Sequence, residues 1–222
     1  MSVTIADDAY PRLTENDLNP WRTIPSAVVC DALGRTGGMS AAIRPLRPGQ
    51  SLVGQALTVL APNTSNAAIH HAIECAWPGC VLVVDAGARE DKAVWGSVVS
   101  AYAFSCGVTG LVVDGCVRDA AILKQADLTI FCRGTAPNGP SKKAVGGIHI
   151  PIRCGGVNVA AGDLVIGDDD GVAVVPFRDL DATLEKCRVR LEQKRDWNGK
   201  TAAGVSTAAL WELSPPNRKT PK

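Results

Sequence analysis

Two stretches concentrate side chains that can do chemistry, DAGAREDKAVWGSVV from Asp85 and DGCVRD from Asp114. In the second, Arg118 and Asp119 are adjacent. A guanidinium is a planar fork that stays charged and grips a carboxylate through two N–H bonds, whereas a carboxylate offers a hard oxygen to Mg²⁺ or Mn²⁺. The pair suits a small anion held together with a divalent metal, and Gly115 is expected to open the turn that delivers it near a helix start. On its own, an Arg-Asp dipeptide reads more readily as a helix cap with a local ion pair. The first stretch adds a partner. Gly96, Ser97, Val98 and Val99 begin a predicted helix whose first N–H groups have no acceptor within the helix, so they can cradle a carboxylate. Gly96 has no side chain to obstruct it. Together the stretches supply amides for one end of a small keto acid, a cation for its other oxygens and a metal ligand. Glu90 and Asp91 suit either a metal's outer shell or a solvated loop, and Lys92 is expected at the solvated surface, which makes a Schiff-base mechanism the less economical one.

These groups need elements to position them. TIPSAVVCDALGRTGG predicts a helix from Ser26 to the glycines Gly37 and Gly38, SLVGQALTVLA a strand, and NTSNAAIHHAIECA a helix broken by Pro78-Gly79. CVLVVDA and TGLVVDG read as buried strands, WGSVVSAYAFSCGV and RDAAILKQA as helices, and LTIFCRG as a strand. This alternation predicts an α/β fold with a partly parallel sheet, whose ligand sites lie at the carboxyl ends of the strands, where VVDAG and VVDGCVRD both fall. From Thr135 to Asp170 the chain turns rich in Gly and Pro and predicts short strands, with Asp168–Gly171 of the GDDDG run as a hairpin turn and not a calcium loop. FRDLDATLEKCRVRLEQKRDW predicts a long helix, packed through Leu180, Leu184, Cys187 and Leu191. Residues 1–23 are expected to form an N-terminal segment, 24–213 a single domain, and 214–222 a disordered tail.

Lys plus Arg at 23 nearly balance Asp plus Glu at 22, so no global field favours nucleic acid or an acidic membrane surface. The sequence has neither a signal-peptide pattern nor a long apolar span, which predicts a cytoplasmic protein. The eight cysteines form no CxxC pair and read as reduced core thiols; a zinc site from His70, His71, Cys75 and Cys80 fits no standard spacing. No nucleotide-binding or GxSxG motif occurs.

The runs Gly87–Gly96, GxxxDxAxWG, and Gly107–Asp119, GVxGxVxDGxVRD, together with GGVNVAAGDLVIGDDDGVAVVP from Gly155, resemble the RraA-like group that includes 4-hydroxy-4-methyl-2-oxoglutarate and 4-carboxy-4-hydroxy-2-oxoadipate aldolases. The likeness spans about Ile24 to Trp197. It implies a swivelling β/β/α-type domain assembled as trimers or hexamers with sites between subunits. It implies that the backbone of Gly96, Ser97, Val98 and Val99 binds the substrate carboxylate, that Arg118 grips the keto acid, and that Asp119 holds a divalent metal, Mg²⁺ or Mn²⁺. The implied reaction is retro-aldol cleavage to pyruvate and a second 2-oxo acid, with oxaloacetate decarboxylation as a side activity. Ser97 stands where many members carry an acidic residue, and the glutamate that the family borrows from a neighbouring subunit has no assigned counterpart among Glu185, Glu192 and Glu212. The founding RraA proteins imply another reading, a non-catalytic regulator that inhibits a ribonuclease.

Overall fold

The computed structural model describes residues 2–7 and 9–216. Its strands in chain order are β1 (Val3–Ile5), β2 (Arg44–Pro45), β3 (Leu52–Leu60), β4 (Cys80–Trp95), β5 (Gly110–Val117) and β6 (Thr129–Thr135). They continue with β7 (Gly146–Ile148), β8 (Ile152–Cys154), β9 (Val157–Val159), β10 (Leu164–Asp168) and β11 (Gly171–Val175). The helices are α1 (Glu15–Leu18), α2 (Ser26–Ala32), α3 (Ala67–Glu74), α4 (Ser97–Ser105), α5 (Ala120–Leu123), α6 (Leu180–Ala202) and α7 (Thr207–Leu210).

The apolar runs make the parallel heart of the sheet, β3-β4-β5-β6. Their residues are buried on both faces, as parallel strands require. In β4, Leu82 and Val84 face a cluster completed by Ile69 and Ile73 of α3, Ala103 of α4 and Leu123 of α5. Val81 and Val83, on the opposite face, meet Ile152, Val159, Val165 and Val172 from the later hairpins. Beyond the β10–β11 hairpin, Val28 and Val29 of α2 and Cys187 of α6 pack on Leu164, Ile166, Ala173 and Val175. The outcome is a mixed α/β single domain in which helices cover the parallel sheet on one side and hairpins followed by helices cover it on the other. The second edge of β3 is shared by β10 and β7, both antiparallel to it, and β1 pairs with β7, so residues 3–5 belong to the sheet.

Several expectations change on contact with the structure. Helix α2 ends at Ala32, because Gly34 (φ +73°) and Arg35 (φ +67°) turn the chain left-handed before Gly37. Pro25 occupies the cap position, and Ser26 instead donates its N–H and hydroxyl to the Asp168 carboxylate, both at 2.7 Å, tying α2 to the GDDDG hairpin turn. The polar DAGARED run is not a loop after the strand: β4 continues through it to Trp95 with register shifts against β5 at Asp85/Arg89, Arg89/Ala93 and Ala93/Trp95. RDAAILKQA forms only the four-residue α5. Gly115 lies within β5 and makes no turn; a Cβ there would approach Ala86 Cβ to 2.9 Å, so glycine serves strand packing. The eight cysteines form no disulfide among the described residues, and the long α6 forms as expected. Residues 214–216 are exposed and irregular, while the rest of the expected tail, 217–222, lies outside the described residues.

Candidate anion-binding site at the strand ends

Trp95, the last residue of β4, pairs with Val117, the last of β5, and Arg118 donates its N–H to Trp95 O at 2.9 Å. The loops that follow the two strands therefore start side by side. Asp119 adopts φ 60°, ψ 36°, a left-handed conformation uncommon outside glycine, asparagine and aspartate. Although Asp119 stands at the cap position of α5, its side chain makes no bond to that helix. Its Oδ2 caps the neighbouring α4, accepting the Ser97 N–H at 2.9 Å and the Ser97 hydroxyl at 2.8 Å. The amide, then the hydroxyl and the nearby Arg118 charge hold this carboxyl below the usual aspartate value. Asp119 Oδ1 accepts no hydrogen bond among the described residues.

Glycine is required twice here. A Cβ on Gly96 would lie 2.9 Å from Asp119 Oδ2 and 3.2 Å from Arg118 Cγ, and one on Gly139 would lie 2.7 Å from Arg118 Nη1. The Arg118 side chain thus runs between two bare backbone segments, and among the described residues it makes neither a side-chain hydrogen bond nor an ion pair. It borders a cleft of about 320 Å³. Gly96, Ser97, Val98, Val99, Arg118 and Asp119 all line that cleft. The sequence-predicted residues are therefore brought together, with one amendment: the Ser97 amide is already engaged by Asp119, which leaves the Val98 and Val99 amides of the first turn without an acceptor within the helix.

The opposite wall was not foreseen. It includes Asn66, His70 and Lys142. Lys142 Nζ lies 2.5 Å from His70 Nε2. Burial and then the Lys142 charge push the His70 pKa down, and burial followed by Arg118 lowers that of Lys142, so the stable arrangement is an ammonium donating to a neutral imidazole. The loop carrying Lys142 is pinned by Asn66 N–H to Ser141 O (3.2 Å), Ser65 hydroxyl to Lys143 O (2.6 Å) and Ala93 N–H to Asn138 O (2.8 Å). Asn66 Nδ2 donates to Val94 O at 3.0 Å, yet its buried Oδ1 and the buried Trp95 Nε1 have no partner among the described residues. Leaving such atoms unpaired costs about 1–3 kcal/mol each, so water or ligand is the physical expectation at both. The only sequence signal for these residues was the helix-start pattern around Asn66; nothing local linked position 70 to 142.

The remaining candidates lie elsewhere. Asp91 pairs with Arg89 at 2.7 Å, which lowers its pKa to about 2, and Glu90 stands 3.8 Å from Arg133. Lys92 is half-buried in a separate cleft with Lys143, not on the open surface. Glu185 borders an 850 Å³ groove between α2 and α6 that carries the Asp31–Arg190 ion pair but no residue from the strand ends, so size alone does not mark the site. None of Glu185, Glu192 and Glu212 lines the Arg118 cleft within one chain. His71 faces Glu74 at 3.5 Å, and no cluster of three metal-binding side chains occurs among the described residues. No helix among them is long and apolar enough to cross a membrane.

The chain is an α/β domain with a cleft at the adjoining carboxyl ends of parallel strands, the class of architecture in which ligand sites are found at strand ends. More specifically, the chain belongs to the RraA-like family: residues 26–174 match the family described as Aldolase/RraA. A protein of Halalkalibacterium halodurans, named "Putative 4-hydroxy-4-methyl-2-oxoglutarate aldolase", is 38% identical over 171 residues, covering 77% of this chain and 81% of its own. Among solved structures, an uncharacterized protein from Pseudomonas syringae superposes with a TM-score of 0.74 at 25% identity, covering 89% of this chain and 97% of that one. Streptomyces coelicolor RraAS2, described as an unusual member of the RNase ES inhibitor RraA protein family, gives 0.74 at 27% identity, covering 87% and 100%.

Proposed function

We propose that the chain is a divalent-metal-dependent aldolase that cleaves 4-hydroxy-4-methyl-2-oxoglutarate or 4-carboxy-4-hydroxy-2-oxoadipate to pyruvate and a second 2-oxo acid. The observation that carries this reading is the Arg118 guanidinium, without a side-chain partner among the described residues, in a cleft beside the open first turn of α4. In the reaction, the C3–C4 bond breaks as the C4 hydroxyl gives its proton to water and becomes a carbonyl, and the bonding pair passes to the pyruvate half as an enolate, which takes a proton from water at C3 to become pyruvate. The Val98 and Val99 amides are placed to receive the 2-oxo acid's carboxylate. Arg118 faces the oxygen on which charge grows, an interaction stronger in the transition state than in the substrate. Asp119 fits a metal: its Oδ1 is an unspent hard oxygen, fixed by the two bonds at Oδ2. When bound there, Mg²⁺ or Mn²⁺ supplies Lewis-acid polarisation of the 2-oxo group.

Purified protein with Mg²⁺ or Mn²⁺ is expected to release pyruvate from one of the two substrates and to lose that activity with EDTA; full activity after chelation would overturn the metal dependence. Since Lys142 borders the cleft, borohydride treatment with pyruvate provides a separate check, and a covalent adduct in the mass spectrum would establish a Schiff base in place of the metal. Oxaloacetate, which passes through the same enolate, is the expected secondary substrate. Assembly into trimers or hexamers is supported by apolar side chains left open beside the cleft, Val98 (83% exposed) and Ile122 (61%). The likeness to RraAS2 favours the regulator reading instead; pyruvate release decides between the two.

Ser97→Ala tests the anchoring of Asp119. The amide bond survives and the hydroxyl bond is lost, so the carboxylate is held by one bond in place of two. Both Ser97 bonds favour the anion, so the Asp119 pKa lies below 3.8 and their contribution is present above that pH and lost as the pH falls through the lowered value. Removing the hydroxyl should raise that pKa, move the acid limb of the pH–kcat/KM profile upward, and lower the plateau by about tenfold or less. An acid limb that does not move would show that the hydroxyl has no hold on the carboxylate.

A further inference from the structure

The loop that brings Gly139 and Lys142 to the cleft is held at Asn138, Ser141 and Lys143 by the bonds described above, and its exit runs straight into β7. That strand of three residues pairs with β3 at only two positions, Val59–Ile148 and Leu60–Gly147. So short an edge is marginal by itself. Its other side is held by the N-terminal segment. β1 pairs with β7 from Val3–Gly146 to Ile5–Ile148, Thr4 Oγ1 donates to Gly146 O at 3.3 Å, and Ala6 N–H donates to Ile148 O at 3.0 Å. Just past β7, the Tyr10 hydroxyl meets Nδ1 of His149 at 3.2 Å. His149 is buried and left-handed (φ 60°), a conformation that a residue with a side chain keeps only where its surroundings fix it. The segment is itself well seated. Arg12 Cζ lies 3.4 Å from the centre of the Trp77 ring, Leu13 N–H donates to Gln55 Oε1 at 3.1 Å, and the buried Gln55 returns a bond from Nε2 to Pro11 O at 2.9 Å.

We propose that the N-terminal segment is a strap that sets the Arg118 cleft: docking of β1 on β7 orders the exit of the 138–145 loop, and undocking slackens that wall and weakens anion binding. The path from strap to cleft is short. Gly139 lies against Arg118 and Lys142 against His70, so slack at Gly146 reaches both cations through the loop. Coupling of this kind is reciprocal: a ligand that needs the ordered wall must tighten β1 by the factor by which β1 tightens the ligand. A segment that only adds global stability has no such response. The choice of a 2-oxo acid as ligand rests on the reading under Proposed function, whereas the ordering of the loop by β1 does not.

Two variants of the full chain loaded with Mn²⁺ test it. Ala6→Pro removes the Ala6 N–H donor with the chain length kept, and a variant lacking residues 2–6 removes β1 altogether. In both, hydrogen exchange over residues 141–148 should rise about tenfold or more, the range of a lost buried backbone bond, while β5 exchanges as in the wild type. Pyruvate affinity by calorimetry should fall about 5- to 10-fold, and the KM for aldol cleavage should rise similarly with kcat little changed. In the wild type, saturating pyruvate should slow exchange of residues 3–6 by about the factor that the deletion costs in affinity. Ser26→Ala, which loosens α2 from the Asp168 carboxylate, should lower stability and leave pyruvate affinity alone. Unchanged exchange at 141–148 in both variants, or exchange at residues 3–6 that ignores bound pyruvate, would overturn the proposal. Should no aldol be cleaved while pyruvate binds both variants more weakly, the reaction is wrong and the strap stands.

Discussion

Replacing Arg118 by alanine is expected to lower kcat/KM for aldol cleavage by about 10²- to 10³-fold, the loss seen when one preorganised donor to a developing oxyanion is removed. The reasoning is geometric. The guanidinium is exposed, has no side-chain hydrogen bond or ion pair among the described residues, and passes between Gly96 and Gly139, which leave it room and no partner. A group held in this way contributes little to the ground state of the empty protein and much to any anion that arrives. If that anion is the enolate, the loss falls mainly on kcat; if it is only the substrate carboxylate, it falls on KM. Thermal stability should change little, because an exposed side chain without partners leaves no cavity or orphaned group when truncated. Arg118→Lys should stay well below wild type, since a point charge cannot reproduce a planar fork. Near-normal kcat/KM in Arg118→Ala would move the chemistry out of this cleft.

The largest effect on stability is expected from Asp114→Ala, about 3–5 kcal/mol by chemical denaturation. Asp114 is buried, and its Oδ1 accepts from Arg133 Nε while Oδ2 accepts the Gly155 N–H at 2.8 Å. The alanine variant would leave the Arg133 guanidinium, 16% exposed, with only Glu90 at 3.8 Å, and the buried Gly155 amide with no acceptor. Breaking a buried pair costs more than the pair itself contributes, because the surviving charge stays desolvated. Asp114→Ala with Arg133→Met should therefore recover part of the loss. A single-variant cost below about 1 kcal/mol would mean that water or Glu90 already screens Arg133.

These two aspartates show how far local pattern could be read. Asp114 and Asp119 belong to one six-residue motif, DGCVRD, and nothing in their types distinguishes them. Asp114 lies within β5 and is spent on Arg133 and Gly155. Asp119 lies just beyond the strand and keeps one oxygen unspent. Likewise Gly115 was expected to make a turn and Gly96 to make room, yet the first packs against Ala86 within the strand and only the second borders the cleft. The buried strands, α3, α4 and α6, and the cleft's first wall were legible because each is encoded over a few consecutive residues by apolar runs, helical spacing and turn residues. Its second wall was not, because Lys142 and His70 are 72 residues apart and meet through strand order and a pinned loop.

Taken alone, the order of residues determined an alternation of strands and helices, the placing of Gly96–Val99 and Arg118–Asp119 at two strand ends, and membership of a recognisable family, since periodicity and motif are properties of neighbours along the chain. Tertiary structure alone decided that the two strand ends adjoin, that Asp119 caps a helix other than its own, and that Lys142 closes the cleft. Those outcomes depend on register and packing between distant segments, where the free energy of burial selects among pairings that local sequence leaves equivalent.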